Sequence, residues 1–308
     1  MAASIPENKY KLNLVTETKY YRLVNKVVDE TFTAEQLAKY NLYLTVGKFT
    51  IRIGVIDRER NKFVLLEDYE LRDLFTPLQV AQQLQGILQD HLFLGKPGWQ
   101  LIRVSVKNQN FTLVPETLFH KDAAEEYLRL NCNLDTYHEQ VITYEQAGLD
   151  AVNIFTADKY LLSALETVFP GKQIAYRHQT SVFISTLLHY SDRHGNKKLM
   201  GFVEKNNLTL LVFQEGMLQF CNVFHYTTSE DFIYFLLFIM QEQKLNPEED
   251  VVKIWGDITY DSALFTLMRK YIRHVYFGNK PAGAAYSYKL EDQFEHRYLD
   301  VYGIHFCE

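Results

Sequence analysis

The sequence predicts an α/β protein in which one structural unit is used twice. Residues 42–71 read as three strands in succession, followed by a long helix from Thr76. Residues 198–226 read the same way, followed by a long helix from Ser229. After the first helix, residues 100–106 form a short apolar strand suited to pair in parallel with the strands before it. Residues 251–255 hold the matching place after the second helix.

The elements follow from local chemistry. Residues 1–39 read as an appendage, with a strand or helix at 20–28 and a short helix at 33–40 capped by Thr33. Leu42, Leu44 and Val46 alternate, Gly47 and Lys48 offer a tight turn, and Ile51, Ile53 and Val55 share one face of the next strand. Residues 57–61 are a polar turn and 63–69 a third strand. Thr76 caps the helix and Pro77 takes its first position, where a missing N–H costs nothing. Val80, Leu84, Ile87, Leu88, His91 and Leu92 form its apolar stripe. Strands are expected at 111–114, 137–144, 150–155 and 174–176, and helices at 121–131, 157–168 and 180–190. The polar stretch 191–197 marks a boundary, giving a first domain with its appendage at 1–195 and a second at 196–308. In the second domain, strands at 199–203, 208–213 and 217–225 are joined by turns. Asn206 and Asn207 suit left-handed positions in the first of these turns. Ser229 caps the helix running toward Lys244, and 260–271 and 274–277 read as a helix and a short strand. The tail, 284–308, is rich in tyrosine; Tyr286, Tyr288, Phe294, Tyr298 and Tyr302 are expected to cover the core of the second domain, the other use being interface anchors.

Composition narrows the class. The 308 residues suffice for two ordinary domains, and 47% hydrophobic with 23% charged residues is the balance of a soluble globular chain. A net charge of −6 repels nucleic acid and anionic membranes on average, so neither is an expected partner. The local basic groups Arg269, Lys270, Arg273 and His274, and His194, Lys197 and Lys198, read as solvated surface. Cys132, Cys221 and Cys307 are scattered and odd in number, which implies neither a disulfide framework nor a metal spacing and points to a reducing compartment, the cytoplasm. Residues 1–10 lack the apolar run of a signal peptide. The most apolar stretch, 232–240, falls short of the ~20 residues a membrane helix needs and reads as a helix buried on all sides. His189 and His194 lack zinc spacing and read as a surface pair.

Three stretches carry a resemblance that covers nearly the whole chain. They are residues 42–53 with their strand pair, Phe111-Thr112-Leu113-Val114-Pro115 leading into a helix, and the tail from His296-Arg297-Tyr298-Leu299-Asp300 to Cys307-Glu308. With these the chain resembles the actin-like ATPase superfamily, whose domain is a duplicated ribonuclease H-like motif, and within it the pilus- and secretion-assembly proteins. More closely it is similar to an uncharacterised family of this length from the Bacteroidetes. The resemblance implies an actin-like ATPase fold and no assigned activity.

It also implies where a nucleotide would sit, and there the residues depart from the pattern. Actin-like ATPases carry Asp-x-Gly in the first hairpin turn of each half, the glycine admitting phosphate and the aspartate holding Mg²⁺ through water. In the first half Thr45 stands where the aspartate is expected; Gly47 remains and Lys48 follows. Threonine brings no charge to a hard cation, and Lys48 reads as an exposed turn lysine rather than a phosphate contact. In the second half Glu204, Lys205 and Asn206 replace the glycine-rich turn, so side chains stand between backbone and phosphate, and Glu204 adds a repelling charge. At the adenosine loop Gly256 is one glycine where two are expected; Trp255 reads as core and Asp257 as a helix cap. The acids Glu67, Asp68 and Glu70 read as a charged strand end, not a two-metal nuclease site. No phosphate-loop or nucleophile-elbow motif occurs. The expectation is an actin-like ATPase fold with degenerate nucleotide-binding loops and no cofactor or metal. Its function would be that of a non-catalytic scaffold or adaptor for a protein partner. The alternative is a divergent nucleotide-binding ATPase or kinase-like protein using the interdomain cleft.

Overall fold

The structure, a computed structural model, describes residues 20–188, 197–291 and 293–307. The proposed boundary at 195, with His189 and His194, lies outside the described residues.

The first sheet contains β1 (Tyr21–Val28), β2 (Tyr40–Val46), β3 (Thr50–Asp57), β4 (Lys62–Leu71), β5 (Leu101–Val106) and β9 (Ile174–His178), in the order β1-β4-β3-β2-β5-β9. The second contains β10 (Lys198–Glu204), β11 (Asn207–Gln214), β12 (Met217–His225), β13 (Val251–Gly256) and β14 (His274–Phe277), in the order β12-β11-β10-β13-β14. In each, three antiparallel strands lead to two parallel ones across the first strand of the unit. The five strands β4-β3-β2-β5-β9 and β12-β11-β10-β13-β14 therefore share one topology, and the duplication is real. A third sheet, β6-β8-β7, is made of β6 (Phe111–Pro115), β7 (Glu139–Glu145) and β8 (Ala151–Asp158), and α2 (Ala124–Arg129) packs on it.

The helices are α1 (Pro77–Asp90), α3 (Lys159–Val168), α4 (Gln179–Leu187), α5 (Ser229–Glu242), α6 (Ala263–Tyr271) and α7 (Leu299–Tyr302). Thr76 and Gln79 form a capping box on α1, with Pro77 in the first turn as the sequence predicts. The cap of α5 is Thr228, in a box with Asp231, one residue before the expected Ser229. Thr33 precedes a 3₁₀ turn, Ala34–Lys39, and its side chain caps nothing. Residues 20–39 are not an appendage: seven of the eight residues of β1 pair in register with β4, with Val24 skipped at a bulge, and the strand extends the sheet. In the β10–β11 turn, Lys205 takes the left-handed position (φ 43°), and Asn207 already belongs to β11. Helix α5 is buried on one side only, because Tyr234 and Phe238 face solvent.

Strand alternation divides the packing. Leu199 and Val203 of β10 point into a core with Phe232, Leu236, Ile239 and Phe265, behind the second sheet. Met200 and Phe202 point the other way and join the first lobe's core, together with Leu211, Phe213 and Trp255. The tail also joins that core. Strand β15 (Ala285–Tyr286) pairs with β4, Tyr286 stacks on Phe63 at 5.5 Å, and Tyr302 meets the same ring edge-on at 4.8 Å. The tail aromatics Tyr286, Tyr298 and Tyr302 thus cover the first sheet, not the second domain's core. The strand pairing of β15 and the short α7 behind it decide this, and neither leaves a periodic signal in sequence.

The cap assignment predicts opposite outcomes for adjacent residues. Thr228→Ala should cost about 1 kcal/mol of stability, whereas Ser229→Ala should change it by only a few tenths. Urea unfolding of the two variants measures this difference.

Candidate functional site: the cleft between the lobes

The fold brings the first turns of the two units, β2–β3 and β10–β11, close together, with Lys205 of one over the Phe49 ring of the other. Here the two sides are in direct contact. Thr50, the first residue of β3, donates its hydroxyl to Glu204 at the end of β10 (Oγ1 to Oε1, 2.5 Å). Lys107, just beyond β5, donates to the same Oε1 at 2.9 Å.

Arg52 lies at the centre. On β3 it alternates with Ile51 and Ile53, so its side chain points to the inner face, where it is 1% exposed. Its guanidinium serves three carboxylates: Nε donates to Asp68 on the neighbouring strand at 3.2 Å, Nη2 to Asp257 after β13 at 2.6 Å, and Nη1 to Asp300 in α7 at 2.9 Å. Asp300 takes a second bond from Lys107 Nζ at 2.5 Å. Arg297 adds a rim contact to Asp257 at 3.3 Å. Burial alone would lower the pKa of Arg52, but Asp257, Asp300 and Asp68 outweigh it and hold the group well above its ordinary value. Lys107 is raised in the same way by Asp300 and Glu204 against the opposing effect of burial. Burial would raise the Asp300 carboxyl; Arg52 and Lys107 reverse this and hold it below the usual carboxylate range.

Three cations (Arg52, Lys107, Arg297) against four carboxylates (Asp68, Glu204, Asp257, Asp300) leave one negative charge. The buried cations of this cluster are thus paired with carboxylates of the chain itself, while Asp300 Oδ1 accepts no hydrogen bond from the described residues. Apolar side chains close the space behind it. Phe202 is 1% exposed and stacks on Phe183 of α4 at 4.5 Å, and Trp255 is wholly buried. Gly278 lies so close to the indole that a Cβ there would come within 1.8 Å of Trp255 Cε2. The tail seals the last side: Gly256 N–H donates to His296 O at 2.9 Å, and His296 Nε2 lies 2.7 Å from Ile258 O.

The residues that the sequence singles out are distributed around this cluster. Glu204 and Asp257 are members of it, and Asp257 binds Arg52 rather than capping a helix; Ser262 caps α6. Asp68 is buried in it rather than lying at a solvated strand end. Glu67 is buried on the opposite face with Lys26, His91 and Tyr69. Gly47 sits beside the cluster. A Cβ there would lie 3.2 Å from Lys107 Cδ, so this glycine makes room for a lysine side chain. Thr45 is buried within the sheet, paired in register with Arg52, and its hydroxyl has no hydrogen-bond partner. Lys48 and Lys205 are exposed at the rim, their ammonium groups 5.6 and 4.6 Å from the Phe49 ring. Asn206 is a turn residue whose carbonyl accepts from Tyr226 N–H. Gly256 has φ 101°, and a Cβ would fall 2.0 Å from Val203 O, so backbone packing requires glycine there. Sequence reasoning missed Arg52, Lys107, Arg297, Asp300 and Thr50. Arg52 between two isoleucines and Asp300 between Leu299 and Val301 were the available signals, each a charge set into an apolar run.

Outside the β2–β3 turn lies a cavity of about 330 Å³ bounded by Lys48, Phe75, Val80, Glu139 and Asp158. Among the described residues, no group of three or more His, Cys, Asp or Glu is arranged to hold a metal ion, and no helix is long and apolar enough to cross a membrane.

This topology is that of the actin-like ATPases, and solved structures agree. A protein from Bacteroides thetaiotaomicron VPI-5482, described as having an actin-like ATPase fold and unknown function, is 19% identical to this chain. The match covers 90% of this chain and 99% of that one, with a TM-score of 0.77. A chain of the PilM–PilN type IV pilus biogenesis complex is 13% identical over 87% of this chain and 98% of that one, with a TM-score of 0.56. At these identities the likeness shows the fold alone. The chain belongs to the family described as "Protein of unknown function (DUF3822)", whose profile matches residues 29–275. No curated protein sequence matches it.

Removing one carboxylate from the cluster should be costly. Asp300→Ala leaves Arg52 and Lys107 short of a buried partner and should lower stability by about 3 to 5 kcal/mol. Because the folded state holds the Asp300 carboxyl below its unfolded value of about 4, its contribution is complete above that pH and is lost as acid carries the pH down through the folded pKa. Urea midpoints measured down an acid series should therefore fall more steeply for the wild type than for Asp300→Ala.

Proposed function

We propose that this protein is a non-catalytic, actin-like scaffold or adaptor of the cytoplasm that binds another protein. The observation that carries this reading is the occupied cleft. Where an actin-like ATPase would need room for a triphosphate and its magnesium, the chain places Arg52, Lys107, Glu204, Asp257 and Asp300 in mutual contact, with Phe202 and Trp255 packed behind them. The division into 1–195 and 196–308 belongs to this proposal, the tail of the second part binding the two lobes together. So does an origin in the Bacteroidetes. The PilM–PilN complex supplies a precedent for a protein of this fold that assembles with another protein.

Against the alternative of a divergent ATPase or kinase-like protein stand the positions of its expected groove residues. Lys48 and Lys205 rest against Phe49, and Gly256 is packed on Val203. The cavity beside Lys48 carries Glu139 and Asp158 as well as Lys107, and the Lys107 ammonium is already bound to Glu204 and Asp300.

Isothermal titration with ATP and Mg²⁺ tests the proposal. No heat of binding is expected at millimolar nucleotide. Micromolar binding that disappears in Lys205→Ala would overturn it.

A further inference from the structure

The second sheet ends at β12, which pairs with β11 and with no other strand among the described residues. The small sheet ends at β6 in the same way. The two edges border one open groove of about 450 Å³. Its β12 wall consists of every residue from Gly216 to Cys221 in succession. Side chains on a strand alternate between faces, so a run of consecutive residues along a wall means that the groove looks onto the strand's edge, where its backbone N–H and C=O groups lie. The opposite wall is made of Leu113, Pro115, Leu149 and Ala151, with Asp150 set among them.

Two further details define what fits. The far end of β12 is already satisfied: Gln109 Nε2 donates to Val223 O at 3.3 Å, and Val223 N–H donates to Asn222 Oδ1 at 2.8 Å. The open stretch is therefore Met217 to Cys221, within which Gln219 is the extra residue of a bulge and has no register partner in β11. The groove's charge is also one-sided. Asp150 lines it, and the exposed Glu116 and Glu215 adjoin its lining residues Pro115 and Gly216, with no lysine or arginine among the lining residues.

We propose that this groove receives an extended peptide segment of a partner protein, added as a strand to the edge of β12. Its alternate side chains would be apolar, toward Leu113 and Leu149, and basic, toward Asp150. Main-chain pairing gives such a contact its affinity, and the alternate pockets and charges give it selectivity. The proposal deepens the adaptor reading and rests on it, but its test is independent of nucleotide binding.

The probe is a random peptide library of about twelve residues displayed on phage, selected on the full-length protein. Enriched peptides should alternate apolar residues with Lys or Arg. Their synthetic forms should slow hydrogen exchange at Met217–Cys221 and lose at least tenfold in affinity against Gln219→Pro and Asp150→Lys. Both sites are exposed, and thermal melting confirms that the variants fold. The proposal is overturned by no enrichment, by enrichment of helical or acidic motifs, or by peptides that bind both variants as well as the wild type.

Discussion

Arg52 and Lys107 stand on the inner face of the first sheet with almost no access to water, and the arrangement of the cleft follows from what two buried cations require. A guanidinium in that position is tolerable only if its donors meet acceptors on several sides. Asp68 comes from the adjacent strand, Asp257 from the second lobe and Asp300 from the tail, so one side chain ties together three parts of the chain. Lys107 does the same with Glu204 and Asp300. The lobes are thus held by directional, desolvated charge pairs, and moving them apart would strand a buried charge on each side. A lobe motion of the kind that opens a nucleotide cleft would have to break these pairs first.

The first turns of the two units are built into a structural joint. At Gly47 the atom that comes close is a methylene of Lys107. At Gly256 the backbone of Val203 leaves no room for a side chain. The position where a metal-holding acid is expected carries Thr45, buried and without a hydrogen-bond partner for its hydroxyl, while acids appear at 204, 257 and 300, where they neutralise the chain's own cations. Packing within the chain is thus enough to account for both glycines.

Much of the fold was legible in the sequence because it is written in short-range periodicity. The alternation of Leu42, Leu44 and Val46, the stripe through Leu84, Ile87 and Leu88, and the Thr76-Pro77 start each determine their element within a few residues, and the duplication followed from seeing that pattern twice. The candidate site was legible only in its absences. Glu204 and Asp257 stood out because they occupy turns where other residues were expected, whereas Arg52, Lys107 and Asp300 lie at remote positions that only the tertiary fold brings together. The tail was assigned to the wrong sheet for the same reason. A strand of two residues, Ala285–Tyr286, decides its course, and two residues carry no period.

The pairing of Arg52 with Asp300 joins positions 248 residues apart, and β15 ties the last part of the chain to an inner strand of the earliest sheet. During synthesis the first lobe emerges with Arg52 and Lys107 exposed to water and with the surface of Phe63 uncovered. It stays in that state until residues 285–302 have followed. Closure of this core is thus set by the segment from Ala285 to Tyr302, and a chain lacking that segment would carry almost all of the described strands with nothing to cover Phe63 or to neutralise Arg52.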